Sequence, residues 1–275
     1  MTKWTSATRP EASDRLQYHL GLRPGDVAPT VLLPGDPDRA ERISRLWDSA
    51  KQIATKRTYV TFTGKYRDTP ISATSTGIGC PATAIAIEEL AQIGAKTLVR
   101  VGSSGALFKH IQCGDLVIST GALRNDGTSN QYVSRGYPAV ASFTVVLALI
   151  EAAESLGYRY HVGITCSTDS FYTGQGRPGF GGYWQSYMAN ILPDLRAAHV
   201  LNFEMECATL FTLANLFGLR SGAVCAVFAN RETDEFRVAG EEEACRTACE
   251  AARILSEWDA KAIKAKKPFW YPGLG

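Results

Sequence analysis

Short β-branched runs alternate along this chain with longer segments of helical periodicity, and that alternation constrains the fold more than any single motif. "TVLLP" (30–34), "KRTYVTFTG" (56–64), "TPISATST" (69–76), "TLVRVG" (97–102), "DLVIST" (115–120), "HVGITCST" (161–168) and "GAVCAVFA" (222–229) read as strands. "GKYRD" (64–68) reads as a hairpin turn between two of them. Helices are predicted over 81–94, 142–157, 206–218 and 241–265, the third apolar all round, as a buried helix is. Such a rhythm specifies an α/β fold. With 275 residues, 45% of them hydrophobic, the chain can bury a sizeable core as one domain spanning 1–275. A polar N-terminal arm (1–16) and an aromatic C-terminal tail (266–275) frame it.

Lys plus Arg number 29 and Asp plus Glu 27, a net charge of +2, so no bulk field draws the chain to nucleic acid or to an anionic membrane surface. An anion must be held locally. The seven cysteines form an odd set with no CxxC pair, and no apolar leader precedes them, which suits free thiols in a reducing cytoplasm. No apolar run approaches the ~20 residues a membrane span needs. Cys245 and Cys249 share a helix face without a nearby histidine, so they read as packed thiols and no metal is assigned.

Three places call for chemistry. In "VLNFEMECATL" (200–210) Glu204 and Glu206 stand one residue apart in an apolar run, where ionised carboxylates need partners. Residues two apart face nearly opposite ways on a helix but share a side in an extended segment, so both acids reach one pocket only if the helix starts after them. In "LVRVGSSGAL" (98–107) Arg100 lies within a buried strand, followed by what reads as a glycine loop. It requires either an internal carboxylate or an anion such as phosphate, and the adjacent hydroxyls and glycines favour phosphate. "LLPGDPDRAERI" (32–43) runs from strand into helix through Gly35, with Arg39 in the first turn. It fits an anion site or a plain tight turn with a solvated arginine equally well.

Taken in order, "VLLPGDPDRAERI", "STGIGCPATAIAIEEL", "RVGSSGAL", "SFYTGQGR", "NFEMECATL" and "FANR" resemble the nucleoside phosphorylase family, most closely its uridine-cleaving branch, from about residue 17 to 257. The resemblance implies a three-layer fold with a central mixed, partly barrel-like β-sheet flanked by helices. It implies phosphate binding by Gly35, Arg39, Arg100 and Ser103, with Arg57 reaching a neighbouring subunit's phosphate. Ribose would be held by Met205, Glu206, Ser103 and His19, the last again across a subunit boundary. Glu204 is either a further ribose ligand or a helix-terminal acid paired with an arginine. Phe171, Gln175 and Arg177 would read the base, with Arg231 beside them, on a glycine-rich loop suited to a lid. Arg177, Gln175, Glu206 and Arg100 would carry the catalysis.

The implied reaction is reversible phosphorolysis of uridine, giving uracil and ribose 1-phosphate, with inorganic phosphate as co-substrate and no cofactor, in a dimer-built hexamer. Purine-cleaving relatives carry an aspartic acid near the "FANR" segment, whereas this chain has Asn230 followed by Arg231, so the resemblance favours a pyrimidine. Some relatives bind potassium through a glutamate at the position of Thr58, although a serine equivalent to Ser75 remains. Phe228 and Ala229 replace an aliphatic pocket wall, while Cys166, Cys207 and Cys225 read as packed bystanders. Alternatives are a purine nucleoside phosphorylase, a nucleosidase using water, or a non-catalytic nucleoside-binding protein of the same fold.

Overall fold

A computed structural model describes residues 6–274; the first five residues of the polar arm and Gly275 lie outside the described residues. The chain runs β1 (Thr30–Pro34), α1 (Pro37–Ser44), β2 (Ser49–Lys56), β3 (Tyr59–Tyr66), β4 (Thr69–Thr74), α2 (Cys80–Gln92), β5 (Thr97–Ala106) and β6 (Leu116–Asn125). It continues through α3 (Ser129–Tyr132), β7 (Ala139–Val140), α4 (Phe143–Leu156), β8 (Tyr160–Thr168), α5 (Ile191–Ala197), β9 (Val200–Glu204), α6 (Cys207–Leu216), β10 (Arg220–Asn230), β11 (Glu235–Phe236) and α7 (Glu241–Lys264).

The strands form one mixed sheet ordered β11-β10-β6-β8-β9-β5-β1-β4-β3-β2, and an additional β10–β5 pairing closes β5, β10, β6, β8 and β9 into a small barrel. The partly barrel-like sheet expected from the resemblance is thus present. Successive strand residues point to opposite faces, and here both faces are covered. Leu32, Val99, Val101, Val224 and Ala226 pack with residues of α1, α4 and α7. Their neighbours Val31, Leu33, Leu98 and Ala223 pack with residues of α2 and α6. Burial on both sides is why these strands read as near-continuous apolar runs.

Local chemistry sets the ends. Arg67 and Asp68, both at positive φ, make the two-residue turn between β3 and β4, inside the predicted "GKYRD". Asp36 caps α1 by accepting from the Asp38 N–H, and Gly157 closes α4 in the left-handed conformation that glycine adopts without a steric cost. The aromatic tail folds back on the body, where the Trp270 ring stacks on Trp258 with centroids 3.6 Å apart. Cys245 and Cys249 are buried on α7, and Trp47 donates its indole N–H to the Cys249 sulfur.

Three expectations need correction. The "GSSG" segment is not a loop: it continues β5, because Gly102 to Ala106 pair with β10 from Cys225 to Asn230. Arg57 occupies a positive-φ turn between two strands, so β3 starts after it and β2, too polar to announce itself, precedes it. The strand β9 was hidden inside the run assigned only to acids and helix.

Candidate active site

A cavity of about 630 Å³ opens at the carboxyl ends of the strands. This is where ligands gather in α/β sheets, because the loops there are free to vary while the strands fix their roots. One side is built by β5. Arg100, only 6% exposed, projects beneath the start of α6. Its Nε lies 2.9 Å from Glu204 Oε2, and its Nη2 contacts Glu206 Oε2. Desolvation works against this cation, and the charges of Glu206 and Glu204 more than offset it, holding the guanidinium above its ordinary range.

The sequence therefore posed the right question about Arg100, and the structure gives it an internal answer as well. Glu204 and Glu206 are the carboxylates that the ion-pair alternative required, and Arg100 lines the cavity at the same time. Glu206 caps α6, whose first helical residue is Cys207, as two acids sharing a pocket demanded. Its Oε1 accepts the Gly79 N–H at 2.6 Å. Burial and the neighbouring Glu204 raise the Glu206 carboxyl above the usual glutamate range, with Arg100 pulling the other way.

Glu204 takes a different role from the ribose contact considered for it. Its Oε2 accepts the backbone N–H groups of Glu206 (2.7 Å) and Cys207 (2.8 Å), and its Oε1 accepts the Ser167 hydroxyl. Both oxygens are engaged by protein. It satisfies donors that a helix start leaves unpaired and complements the positive end of the helix dipole. Sequence reasoning did not find Ser167; the only signal was its place near the end of a strand, in "TCST".

At the arginine end, Gly35, Arg39 and Ser103, expected to bind phosphate, line the cavity together with Arg100. Gly35 sits against the Gly77 turn: a Cβ there would lie 3.1 Å from the Gly77 carbonyl oxygen. Arg39 is buried, donating to the Val101 carbonyl and pairing with Glu241 at 3.0 Å, while its Nε finds no hydrogen-bond partner. Arg57 and His19 do not line this cavity. Arg57 lies near the Tyr18 ring, and His19 Nδ1 bonds Glu89 Oε1 at 2.7 Å. Thr58 lines the cavity, but the Ser75 hydroxyl is engaged elsewhere, donating to the Thr58 carbonyl and accepting from the Val60 N–H.

The wall expected to read the base is made by the loop after β8. Gln175 is buried in a short helical turn, its Nε2 donating to Thr168 Oγ1 at 3.1 Å and its Oε1 accepting from Arg177 Nη1 at 2.6 Å. Arg177 also donates to the Phe171 carbonyl, and its guanidinium lies 4.0 Å over the Phe171 ring. Met205 and Phe203 complete the apolar wall with Phe228, Ala229 and Phe236. Among the described residues Arg177 forms no ion pair. Burial and the like charge of Arg231 hold its guanidinium below the ordinary arginine range. An uncompensated cation in an apolar wall is a ready acceptor of developing negative charge.

Arg231 is not in the cavity wall, contrary to expectation. It donates to the carbonyls of Gln175 (3.1 Å) and Gly176 (3.3 Å), bracing the loop that carries the base-side pair. Asn230 is likewise structural. Its amide nitrogen donates to the Phe108 and Ile111 carbonyls, and its oxygen accepts from the Glu232 and Thr233 N–H groups. Its side chain pins a turn, so the lack of an acid there does not by itself discriminate between bases. Cys207 and Cys225 are buried beside Arg100, and Cys166 is buried as well.

The α/β fold thus carries one cavity that joins buried arginines, carboxylates at the start of a helix and an amide–guanidinium pair. The chain belongs to the phosphorylase superfamily, whose sequence profile matches residues 29–257. It is 61% identical over 272 residues to a uridine phosphorylase of Thermococcus kodakarensis, covering 99% of this chain and 98% of that protein. The uridine phosphorylase of Escherichia coli is 41% identical over 246 residues, 86% of this chain and 97% of its own. A guanosine phosphorylase of Halorubrum lacusprofundi is 40% identical over 214 residues, 78% of this chain and 83% of its own.

Proposed function

We propose that the protein catalyses the reversible phosphorolysis of uridine to uracil and ribose 1-phosphate, a pentosyl transfer in pyrimidine salvage. The observation that carries this reading is that one cavity collects Arg100 and Ser103, Met205 and Glu206, and Gln175 and Arg177. These groups suit phosphate, ribose and base respectively, and the 61% identity to a uridine phosphorylase supports the choice of substrate.

The chemistry follows from the placement. A phosphate oxygen attacks C1′ as the bond from C1′ to N1 breaks, and the bonding electrons leave with the pyrimidine. The sugar becomes cation-like and the base anionic, as in other glycosyl transfers. Glu206 accepts hydrogen bonds from the ribose hydroxyls and fixes the ring. Arg177 stabilises the departing anion with donors already in place, and Gln175, which can donate and accept, reads the polar edge of the ring. The pyrimidine anion then takes a proton from solvent. Arg39, Arg100 and Ser103 would hold the nucleophile, an arrangement that replaces a bimolecular encounter with a positioned one.

His19 and Arg57 lie outside the cavity, which fits a site completed by a neighbouring copy in a dimer-built hexamer. No described helix is long and apolar enough to cross a membrane, and we place the enzyme in the cytoplasm. Phosphate is a co-substrate and no cofactor enters the scheme. A hydrolytic reading draws on one observation: Arg39 and Arg100 both have carboxylate partners within the protein. Incubation with uridine in the presence and absence of phosphate, measuring uracil and ribose 1-phosphate, separates the two. Release that requires phosphate supports phosphorolysis; equal release without it supports hydrolysis.

A further inference from the structure

Arg100 is held from two sides by residues that the reaction scheme does not use. On one side stands Glu204, whose Oε2 lies 2.9 Å from Arg100 Nε. Two backbone N–H groups, of Glu206 and Cys207, hold that oxygen, and the carboxylate's only side-chain donor besides Arg100 among the described residues is the Ser167 hydroxyl on its other oxygen. Ser167 is fully buried and lies outside the cavity wall, and its Oγ also accepts the Ala208 N–H at 2.8 Å. One hydroxyl therefore ties strand β8, the first turn of α6 and the acid that pairs with Arg100.

On the other side lies Gly102, two residues on along β5 and so on the same face as Arg100. A Cβ at Gly102 would stand 2.8 Å from Arg100 Nη2, 2.9 Å from its Cζ and 2.7 Å from Cys225 Sγ. Gly102 is not among the positive-φ glycines, so what it supplies is space. The guanidinium occupies the volume that any side chain there would fill.

We propose that Ser167 and Gly102 are positioning residues for Arg100: Ser167 by orienting Glu204, and Gly102 by leaving room for the guanidinium, together setting its place at the phosphate end of the cavity. The inference rests on the proposed phosphorolysis. Neither residue touches substrate. Both act on a cation whose misplacement weakens phosphate binding while leaving the base-side groups on the loop after β8 undisturbed.

The test is steady-state kinetics with each substrate varied in turn, on Ser167→Ala, Ser167→Thr and Gly102→Ala, with melting curves for each. Ser167→Ala and Gly102→Ala are expected to raise the KM for phosphate about tenfold and the KM for uridine by clearly less, the latter through the contact of Arg100 with Glu206. Ser167→Thr, which keeps the hydroxyl, is expected to restore the parental phosphate KM. A folded Ser167→Ala or Gly102→Ala with parental phosphate KM would overturn the role of that residue, as would equal rises in both KM values. If Ser167→Ala fails to fold, a Ser167→Thr variant with an impaired phosphate KM at parental melting temperature would count against the assignment. If Gly102→Ala fails to fold, the same substitution in a Cys225→Ala background, which removes the sulfur contact and keeps the one with the guanidinium, would do so for Gly102 by showing a parental phosphate KM. A parent enzyme that cleaves uridine without phosphate would instead overturn the functional reading itself.

Discussion

Glu204 and Glu206 contact the same guanidinium, that of Arg100, from one side of a strand end, yet they do different work. Glu204 ends β9 and accepts from the backbone of the α6 start, while Glu206 stands at the N-cap position with one oxygen on the Gly79 N–H and the other on Arg100. The division follows from where the helix begins. Had it started early enough to include both residues, the two side chains would diverge and the arginine would face a single acid.

Glu206→Gln keeps the shape and can still accept the Gly79 N–H, but it lacks the charge that the proposed ribose contact uses. Hydrogen bonds to a charged group contribute about 1.5–3 kcal/mol, so kcat/KM for uridine should fall by about ten- to a hundredfold. Steady-state kinetics on the purified variant check this. Parental kcat/KM would remove Glu206 from the ribose site.

The raised carboxyl of Glu206 also fixes the sign of a pH effect. The proposed contact with the ribose hydroxyls is strongest when the group is ionised, so activity should fall with decreasing pH at values above the usual glutamate range. For stability the sign reverses. A carboxyl whose proton is held more tightly in the folded state contributes stability below its unfolded pKa, and loses it as pH rises through the folded value. The melting temperature of Glu206→Gln relative to the parent should therefore improve from acid to neutral pH. A pH-independent difference would contradict the assignment.

Much of this was legible in the sequence, and the failures have physical reasons. The α/β rhythm and the buried character of α6 follow from periodicity, which began that helix at Glu206; only the condition that two acids share a pocket pointed to a start after it. Arg100 announced itself because a cation in an apolar strand must have a partner. Which partner could not be read, since the Ser167–Glu204–Arg100 chain joins three distant segments through side chains of ordinary types. The "GSSG" segment looked like a loop because glycine and serine are poor strand formers, but pairing with β10 overrides that weak preference. Arg231 and Asn230 have the look of pocket residues and serve the backbone of two turns instead.

Arg177→Ala should lower kcat far more than it weakens uridine binding. The guanidinium faces the base side without a carboxylate, so its charge is most useful when the base becomes anionic. Loss of one such donor typically costs about a hundred- to a thousandfold in kcat. A tenfold or greater rise in uridine Kd with unchanged kcat would show Arg177 acting in ground-state binding alone.

The stack of Trp270 on Trp258 predicts that the tail stabilises the body without joining the chemistry. Both rings belong to the cluster in which α4 and α7 pack, remote from the substrate cavity wall. Trp270→Ala should cost about 2 kcal/mol for a partly buried aromatic. Thermal unfolding should show a lower melting temperature, with kcat and both KM values unchanged at moderate temperature.

Asn230→Asp tests whether an acid at this position confers purine cleavage. The amide nitrogen of Asn230 donates to the Phe108 and Ile111 carbonyls, and its oxygen accepts from two turn N–H groups. An aspartate can still accept but cannot donate when ionised. It would set a carboxylate oxygen against two carbonyl oxygens in a buried site, and each unsatisfied buried group costs about 1–3 kcal/mol. The variant should lose stability and retain its preference for uridine, because Gln175 and Arg177 rather than residue 230 line the base side. Phosphorolysis of inosine or guanosine by a stable Asn230→Asp enzyme would place the side chain in the pocket and refute this account of the turn.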